Sequence, residues 1–276
     1  MTAPAVFEPA SYLFVPGNQP GRFDKALASG ADRVIIDLED AVAPADKSRA
    51  REAIAVWMAG IANHLSRLLI RINDRTTSWY ADDLVLAGNV RIPCVMLPKC
   101  EGASQVADVL ARLPQHATVL PLIETARGML ALHDIASAKG VDRLAFGSLD
   151  YMADLDIPVG SLALDFAATQ IALASRAAGI ASPLAGVTPD LDGARVAAEM
   201  AHARTLGFNA KMCIHPSQVA TVHAILAPSN DELAWARRTL QAWNAATGGA
   251  IQLDGKMVDR PVVLRAERII ARAKRS

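Results

Sequence analysis

Eight short apolar runs recur along this 276-residue chain, and five of them end in charge. Candidate strands cover 11–15, 33–37, 67–71, 93–98, 118–123, 142–147, 182–187 and 209–214. Segments of helical period lie between them, near 20–29, 47–62, 77–88, 102–112, 125–139, 161–178 and 192–206. Strands that are apolar throughout need burial on both faces, which is the condition of a parallel sheet. Eight such repeats over about 225 residues fit an α/β fold of the closed (β/α)₈ TIM-barrel type better than an open doubly wound sheet. No G-x-G-x-x-G follows the first strand, so a dinucleotide-binding fold lacks its fingerprint.

The charged ends point to one functional face. Val34-Ile35-Ile36 runs straight into Asp37, Glu39 and Asp40, three carboxylates within four positions. Burying an ionised carboxylate costs several kcal/mol unless a cation or donors compensate it, so positive partners are required nearby. The same grammar recurs at Leu69-Ile70-Arg71, Leu97-Pro98-Lys99, Leu122-Ile123-Glu124 and Gly147-Ser148-Leu149-Asp150. In a barrel these ends share the carboxyl-terminal face, where loops build the active site.

Composition narrows the function. Net charge is zero with 52% hydrophobic residues, which suits a large core and argues against a nucleic-acid or membrane-attracting surface. Met1–Val6 lacks the basic and apolar parts of a signal peptide, and no apolar run reaches the roughly 18–20 residues of a membrane span. A soluble, cytoplasmic protein is expected. Cys94, Cys100 and Cys213 follow no C-x-x-C spacing and read as reduced buried thiols, with metal ligation the weaker alternative.

The barrel is expected over 1–226, and C-terminal helices with an active-site lid over 227–276. Residues 216–247 read as two helices, broken at Ala227–Asp231, where a cap can start the second. Thr247-Gly248-Gly249 should end that helix. An irregular segment from Ala250 to Pro261 and a closing helix from Arg265 to Arg275 complete the chain.

Glu124 and Asp150 end consecutive strands, within reach of one ion. Two carboxylates are the usual protein contribution to Mg²⁺, which keeps several waters. Taken singly, each has a plainer reading: Glu124 as a residue at a helix N-terminus, Asp150 as a loop carboxylate. Arg71 keeps its charge, so it pairs with Glu39 or meets an anionic substrate; Lys99 suits either a structural or a functional role. The loop from Phe14 to Lys25 holds Asn18, Arg22 and Lys25 at a strand-to-helix junction suited to phosphate, although surface charge alone would also explain the two cations. His215 reads as a hydrogen-bonded structural residue more than as a base.

Leu13-Phe14-Val15-Pro16-Gly17-Asn18, Asp37-Leu38-Glu39-Asp40-Ala41-Val42, Arg71-Ile72-Asn73, Leu97-Pro98-Lys99, Ile123-Glu124-Thr125-Ala126, Gly147-Ser148-Leu149-Asp150 and Lys211-Met212-Cys213-Ile214-His215-Pro216 occur in this order. Together they make the chain resemble the citrate lyase β-subunit-like branch of the HpcH/HpaI aldolase superfamily over nearly its whole length. The resemblance implies a Mg²⁺-dependent TIM-barrel enzyme that breaks or forms a carbon–carbon bond beside an acyl-CoA thioester. By it, Glu124 and Asp150 match the metal ligands and Arg71 the substrate-polarising arginine. Phe14, Asn18, Arg22 and Lys25 lie in the region that meets coenzyme A, with Glu39 added to the substrate-binding set. Asp259 matches an aspartate that a lid supplies to the neighbouring subunit, which implies a homotrimer or hexamer. The pyruvate-aldolase branch carries a histidine after its second strand, where this chain has Glu39-Asp40-Ala41-Val42. The expected reaction is therefore retro-Claisen cleavage of a 3-hydroxyacyl-CoA, citramalyl-CoA first and malyl-CoA second. A citryl lyase β subunit acting on a carrier-bound thioester is the other candidate.

Overall fold

The computed structural model describes residues 8–246 and 249–273. The stretch Met1–Val6, the Thr247-Gly248 break and the end of the closing helix at Arg275 lie outside the described residues.

All eight expected strands form, and they hydrogen-bond in sequence order into a closed parallel barrel. They are β1 (Ser11–Pro16), β2 (Arg33–Asp37), β3 (Leu68–Arg71), β4 (Cys94–Leu97), β5 (Thr118–Ile123), β6 (Ala145–Phe146), β7 (Leu184–Ala185) and β8 (Ala210–Cys213), with β8 closing on β1. Alternation of side chains sorts each strand into two faces. Tyr12, Ile35, Leu69, Met96, Leu120 and Met212 fill the barrel axis, while Leu13, Val34, Ile36, Leu68, Ile70 and Val95 are buried on the other face.

The outer layer is α1 (Phe23–Ala28), α2 (Lys47–Met58), α3 (Tyr80–Asn89), α4 (Ala103–Leu110), α5 (Ala126–Leu130), α6 (Leu132–Ala136), α7 (Ser148–Leu155), α8 (Leu162–Ala177) and α9 (Gly193–Thr205). Three local details differ from the sequence reading. The helix expected over 125–139 is two short helices meeting at Ala131. Strand β7 starts only at Leu184, because Pro183 offers no N–H to the ladder. Most important for the site, Asp150 is not at a strand end. It lies in the first turn of α7, an eight-residue helix that Asp156 terminates in the left-handed region at φ 54°.

The chain divides into two compact units, Pro9–Val222 and a second running from His223. The division falls inside α10 (Ser217–Leu226). In the second unit, α11 (Asn230–Ala245) begins at the expected break, where Ser229 and Glu232 form a reciprocal capping box. It packs on α12 (Arg260–Ala273) through Ala236, Ala266 and Ile269. The segment expected to be irregular is instead an antiparallel hairpin, β9 (Ile251–Leu253) with β10 (Lys256–Val258). Asp254 and Gly255 both take positive φ, 50° and 74°, the signature of a two-residue hairpin turn. Helix α12 starts earlier than expected because Pro261 sits in its first turn, where a missing N–H costs nothing. No helix among the described residues is long and apolar enough to cross a membrane.

Candidate active site

The site grows from the strand register. Asp37 and Arg71 are cross-strand partners at the ends of β2 and β3, two positions beyond Ile35 and Leu69, so both face the barrel axis. Arg71 donates from Nε to Asp37 Oδ1 at 2.7 Å and from Nη2 to Asp37 Oδ2 at 2.6 Å. This fork-on-fork pairing fixes the guanidinium in orientation as well as position. Nη1 meets Glu39 Oε2 at 2.9 Å and Asp40 Oδ2 at 3.4 Å, and the guanidinium lies 4.9 Å from the centre of the Phe14 ring. Burial lifts the Glu39 carboxyl to about 7, against the pull of Arg71.

A second layer holds the β2 loop. Lys47, at the start of α2, donates to Leu38 O at 2.6 Å, Glu39 O at 2.7 Å and Asn73 Oδ1 at 2.7 Å. All three donors of the ammonium are thereby used. Asn73 in turn donates its backbone N–H and its Nδ2 to Asp83 Oδ2, at 2.8 and 2.6 Å, and Asp83 Oδ1 accepts from Arg51 at 3.1 Å.

The opposite side is different. Leu120, Leu122 and Glu124 share the inward face of β5 and its end, and Thr125 caps α5 immediately afterwards. Glu124 is 2% exposed. Its Oε1 accepts the Lys99 backbone N–H at 2.8 Å, which the left-handed conformation of Lys99 (φ 44°) presents. Its Oε2 is buried and has no hydrogen-bond partner among the described residues. Burial, and then the nearby carboxylates of Asp150 and Glu39, push Glu124 up to about 8. Gly147 leaves the necessary room: a Cβ there would stand 2.3 Å from Glu124 Oε2.

Phe14, Asp37, Asp40, Arg71, Glu124 and Asp150 line one cavity of about 390 Å³ at the barrel mouth. Four carboxylates (Asp37, Asp40, Glu124, Asp150) and one cation, Arg71, line this cavity, an acidic surplus that a divalent cation would offset. Among the described residues no group of three or more His, Cys, Asp or Glu side chains could hold a metal ion, so the protein's share would be the Glu124/Asp150 pair. The orphaned Oε2 of Glu124, aimed into the mouth beside Asp150, fits such an ion.

Asn18, Arg22, Lys25 and His215 do not line this cavity. Asn18 donates to Asp46 Oδ2 at 3.2 Å. Arg22 and Lys25 are exposed and enter no ion pair among the described residues; α1 has only six residues, so any phosphate there would depend on the two side-chain charges. His215 is exposed and turns its Nδ1 to the Ser217 hydroxyl at 2.8 Å, a local turn contact. Asp259 belongs to the second unit, half-buried at the N-terminus of α12, where Oδ1 accepts the Val262 N–H at 3.3 Å. The three cysteines are free thiols.

Residues 10–216 match the HpcH/HpaI aldolase/citrate lyase family. The chain belongs to this family. Members make and break carbon–carbon bonds, and the mouth described above falls within the matched stretch. A citrate lyase subunit beta-like protein of Mycobacterium tuberculosis is 37% identical over 270 residues, covering 95% of this chain and 94% of the relative. A (3S)-malyl-CoA thioesterase of Cereibacter sphaeroides is 30% identical over 272 residues, covering 96% and 94%. The crystal structure of CitE from M. tuberculosis in complex with magnesium, acetoacetate and coenzyme A superposes with a TM-score of 0.86 at 35% identity, covering 98% of this chain and 99% of that one.

Sequence reasoning placed Asp37 among the charged strand ends but named Glu39 as the partner of Arg71, and it did not single out Lys47, Asn73 or Gly147 as builders of the site. Asp37 had a visible signal, a carboxylate closing an apolar strand opposite Arg71. Lys47, Asn73 and Gly147 act through contacts that only the closed barrel creates.

Proposed function

We propose that this chain is a Mg²⁺-dependent lyase that splits a 3-hydroxyacyl-CoA thioester by a retro-Claisen reaction, with (S)-citramalyl-CoA as substrate and acetyl-CoA and pyruvate as products. The observation that carries the reading is the pairing of an unpartnered buried carboxylate oxygen, Glu124 Oε2, with Asp150 in the same mouth as a rigidly held Arg71. Glu124 and Asp150 would hold Mg²⁺, which when bound supplies Lewis-acid charge to substrate oxygens and eases ionisation of the hydroxyl. Arg71, fixed by Asp37, offers positive charge to oxygen in the transition state without reorganising. Phe14, Leu122 and Met212 give the mouth apolar walls that limit water. Asp259 from a neighbouring subunit delivers a proton to the carbon that becomes the acetyl-CoA methyl, and this makes a homotrimer or hexamer the active form.

Arg22 and Lys25 bind the remote nucleotide end. Removing both charges should raise KM more than it lowers kcat, because that contact is equal in ground and transition states. The Asp259 role is separable from capping, since Asn caps a helix as well as Asp. An Asp259→Asn variant should keep its Tm and lose turnover, and mixed oligomers with a Glu124→Ala variant should recover part of it. No recovery despite proven subunit exchange would remove Asp259 from the neighbour's site.

The deciding experiment is a CoA-thioester panel with products identified by mass, with and without EDTA. Pyruvate and acetyl-CoA from citramalyl-CoA, lost on chelation, are the expected result. Glyoxylate from malyl-CoA alone would move the assignment to malyl-CoA lyase, and turnover restricted to a carrier-bound thioester would move it to a citryl lyase β subunit. Free acid plus CoA would mark hydrolysis, the activity named for the Cereibacter relative. Unchanged turnover in EDTA would contradict the metal site itself.

A further inference from the structure

A second cavity, of about 450 Å³, lies behind the mouth, between the β6–β8 wall and helices α8 and α9. Ser148, Leu149 and Val187 line both cavities and form the partition. The walls are mainly apolar, with Phe146, Met152, Leu164, Ala168, Leu206 and Phe208. One ammonium group sits among them. Ala210 and Met212 face the barrel axis, so Lys211 between them faces outward, where it is 2% exposed.

Lys211 is short of partners. An ammonium has three donors, and among the described residues Nζ makes one hydrogen bond, to Gly186 O at 2.6 Å. The carboxylates around the cavity are engaged elsewhere. Glu199 accepts from Arg195 Nε at 2.7 Å and from the Thr188 hydroxyl. Asp165 faces His202 Nε2 at 2.8 Å, and Asp190 accepts the Asp192 N–H at 2.8 Å. None of the three forms an ion pair with Lys211. Burial lowers the pKa of the amine, against the opposing pull of the nearby Glu199 carboxylate.

We propose that this cavity binds a small carboxylic acid with an apolar body, its carboxylate on Lys211 Nζ and its body against Phe146, Leu206 and Phe208. The volume falls within the range of small-molecule sites, and a mainly apolar lining with few convergent polar groups is their usual composition. A single buried cation with two spare donors matches one carboxylate, whereas a phosphate dianion would call for more donors than this wall holds. The site is distinct from the catalytic mouth and rests on none of the residues proposed for catalysis.

The test uses the full-length protein carrying ¹³C at its methionine methyls, probed with naphthalene-2-carboxylate and with the matching neutral amide. Met152 lines this cavity and Met212 lines the mouth, so the two sites report separately. The acid should shift the Met152 signal saturably with a Kd on the order of 1 mM or below. The amide should bind at least about tenfold more weakly, having lost the charge-assisted contact. Lys211→Met should erase the preference for the acid. Ala168→Phe, which fills the cavity and leaves Lys211 in place, should abolish both shifts and serves if the Lys211 variant fails to fold. Equal binding of acid and amide, a response at Met212 alone, or no Met152 shift with millimolar probe would overturn the proposal. The last result is also what a second copy of the chain sealing the cavity would give.

Discussion

The two sides of the barrel mouth are built on opposite principles. On the β2–β3 side every charge has a partner: Asp37 grips Arg71 bidentately, Glu39 adds a third contact, and Lys47 spends two donors on the loop that carries Glu39 and the third on Asn73. On the β5–β6 side Glu124 keeps one buried oxygen without a partner, and Asp150 stands exposed in the first turn of α7. A closed ion-pair network holds geometry but has little capacity left for a ligand. An open pair of carboxylates costs stability, because desolvated charge is left uncompensated, and that cost is tolerable where an ion completes the site. The fixed side supplies alignment and the open side supplies binding.

Substitutions on the two sides should therefore fail in different ways. The largest effect is expected from Glu124→Gln: turnover should fall on the order of a thousandfold, the scale lost when a group stabilising transition-state charge is removed, while Tm holds or rises. A drop in Tm with activity retained would reverse the roles of the two sides. Next, Asp37→Ala should cost about 3 kcal/mol of stability by leaving Arg71 buried without its main counter-charge, as read from urea midpoints. Stability unchanged within error would show that Glu39 and Asp40 alone can hold the arginine.

Lys47→Met should cost about 2 kcal/mol, since it removes the donor to the buried Asn73 Oδ1 and one of two donors to each of the Leu38 and Glu39 carbonyls. It should lower kcat with KM nearly unchanged, because the loop is loosened and not the binding surface. The smallest effect concerns the thiols, none of which lines the mouth cavity. Burial pushes Cys100 and Cys213 up to about 12 and Cys94 to about 11. A raised pKa means neutral thiol at pH 8, so alkylation of the native protein should be slow there and complete after unfolding. Rapid native labelling would mean that these cysteines are less enclosed than the packing indicates.

Much of the frame was legible in the sequence because it depends on local pattern. Apolar runs located all eight strands, and the charge closing each run located Arg71 and Glu124 at the mouth. What was not legible depends on closure. The sequence shows three carboxylates after β2, but only the β2–β3 register selects Asp37 over Glu39 as the bidentate partner of Arg71. Asp150 read as a strand end because α7 is short and has no side-chain cap to announce it. The need for glycine at 147 appears only when Glu124 is found where a Cβ would stand. In the second unit, the Asp254-Gly255 turn signal was present, yet the short strands flanking it carry too little apolar pattern to be told from an irregular loop.

The central claim, that the open side takes one divalent ion, is tested most directly by Mn²⁺ binding followed by electron paramagnetic resonance, with Mn²⁺ standing in for Mg²⁺. The unmodified protein should bind one ion per chain, Glu124→Gln and Asp150→Asn should each abolish that site, and Asp40→Asn on the closed side should leave it intact. Full binding by the Glu124→Gln and Asp150→Asn variants, or loss of binding in Asp40→Asn alone, would contradict the account.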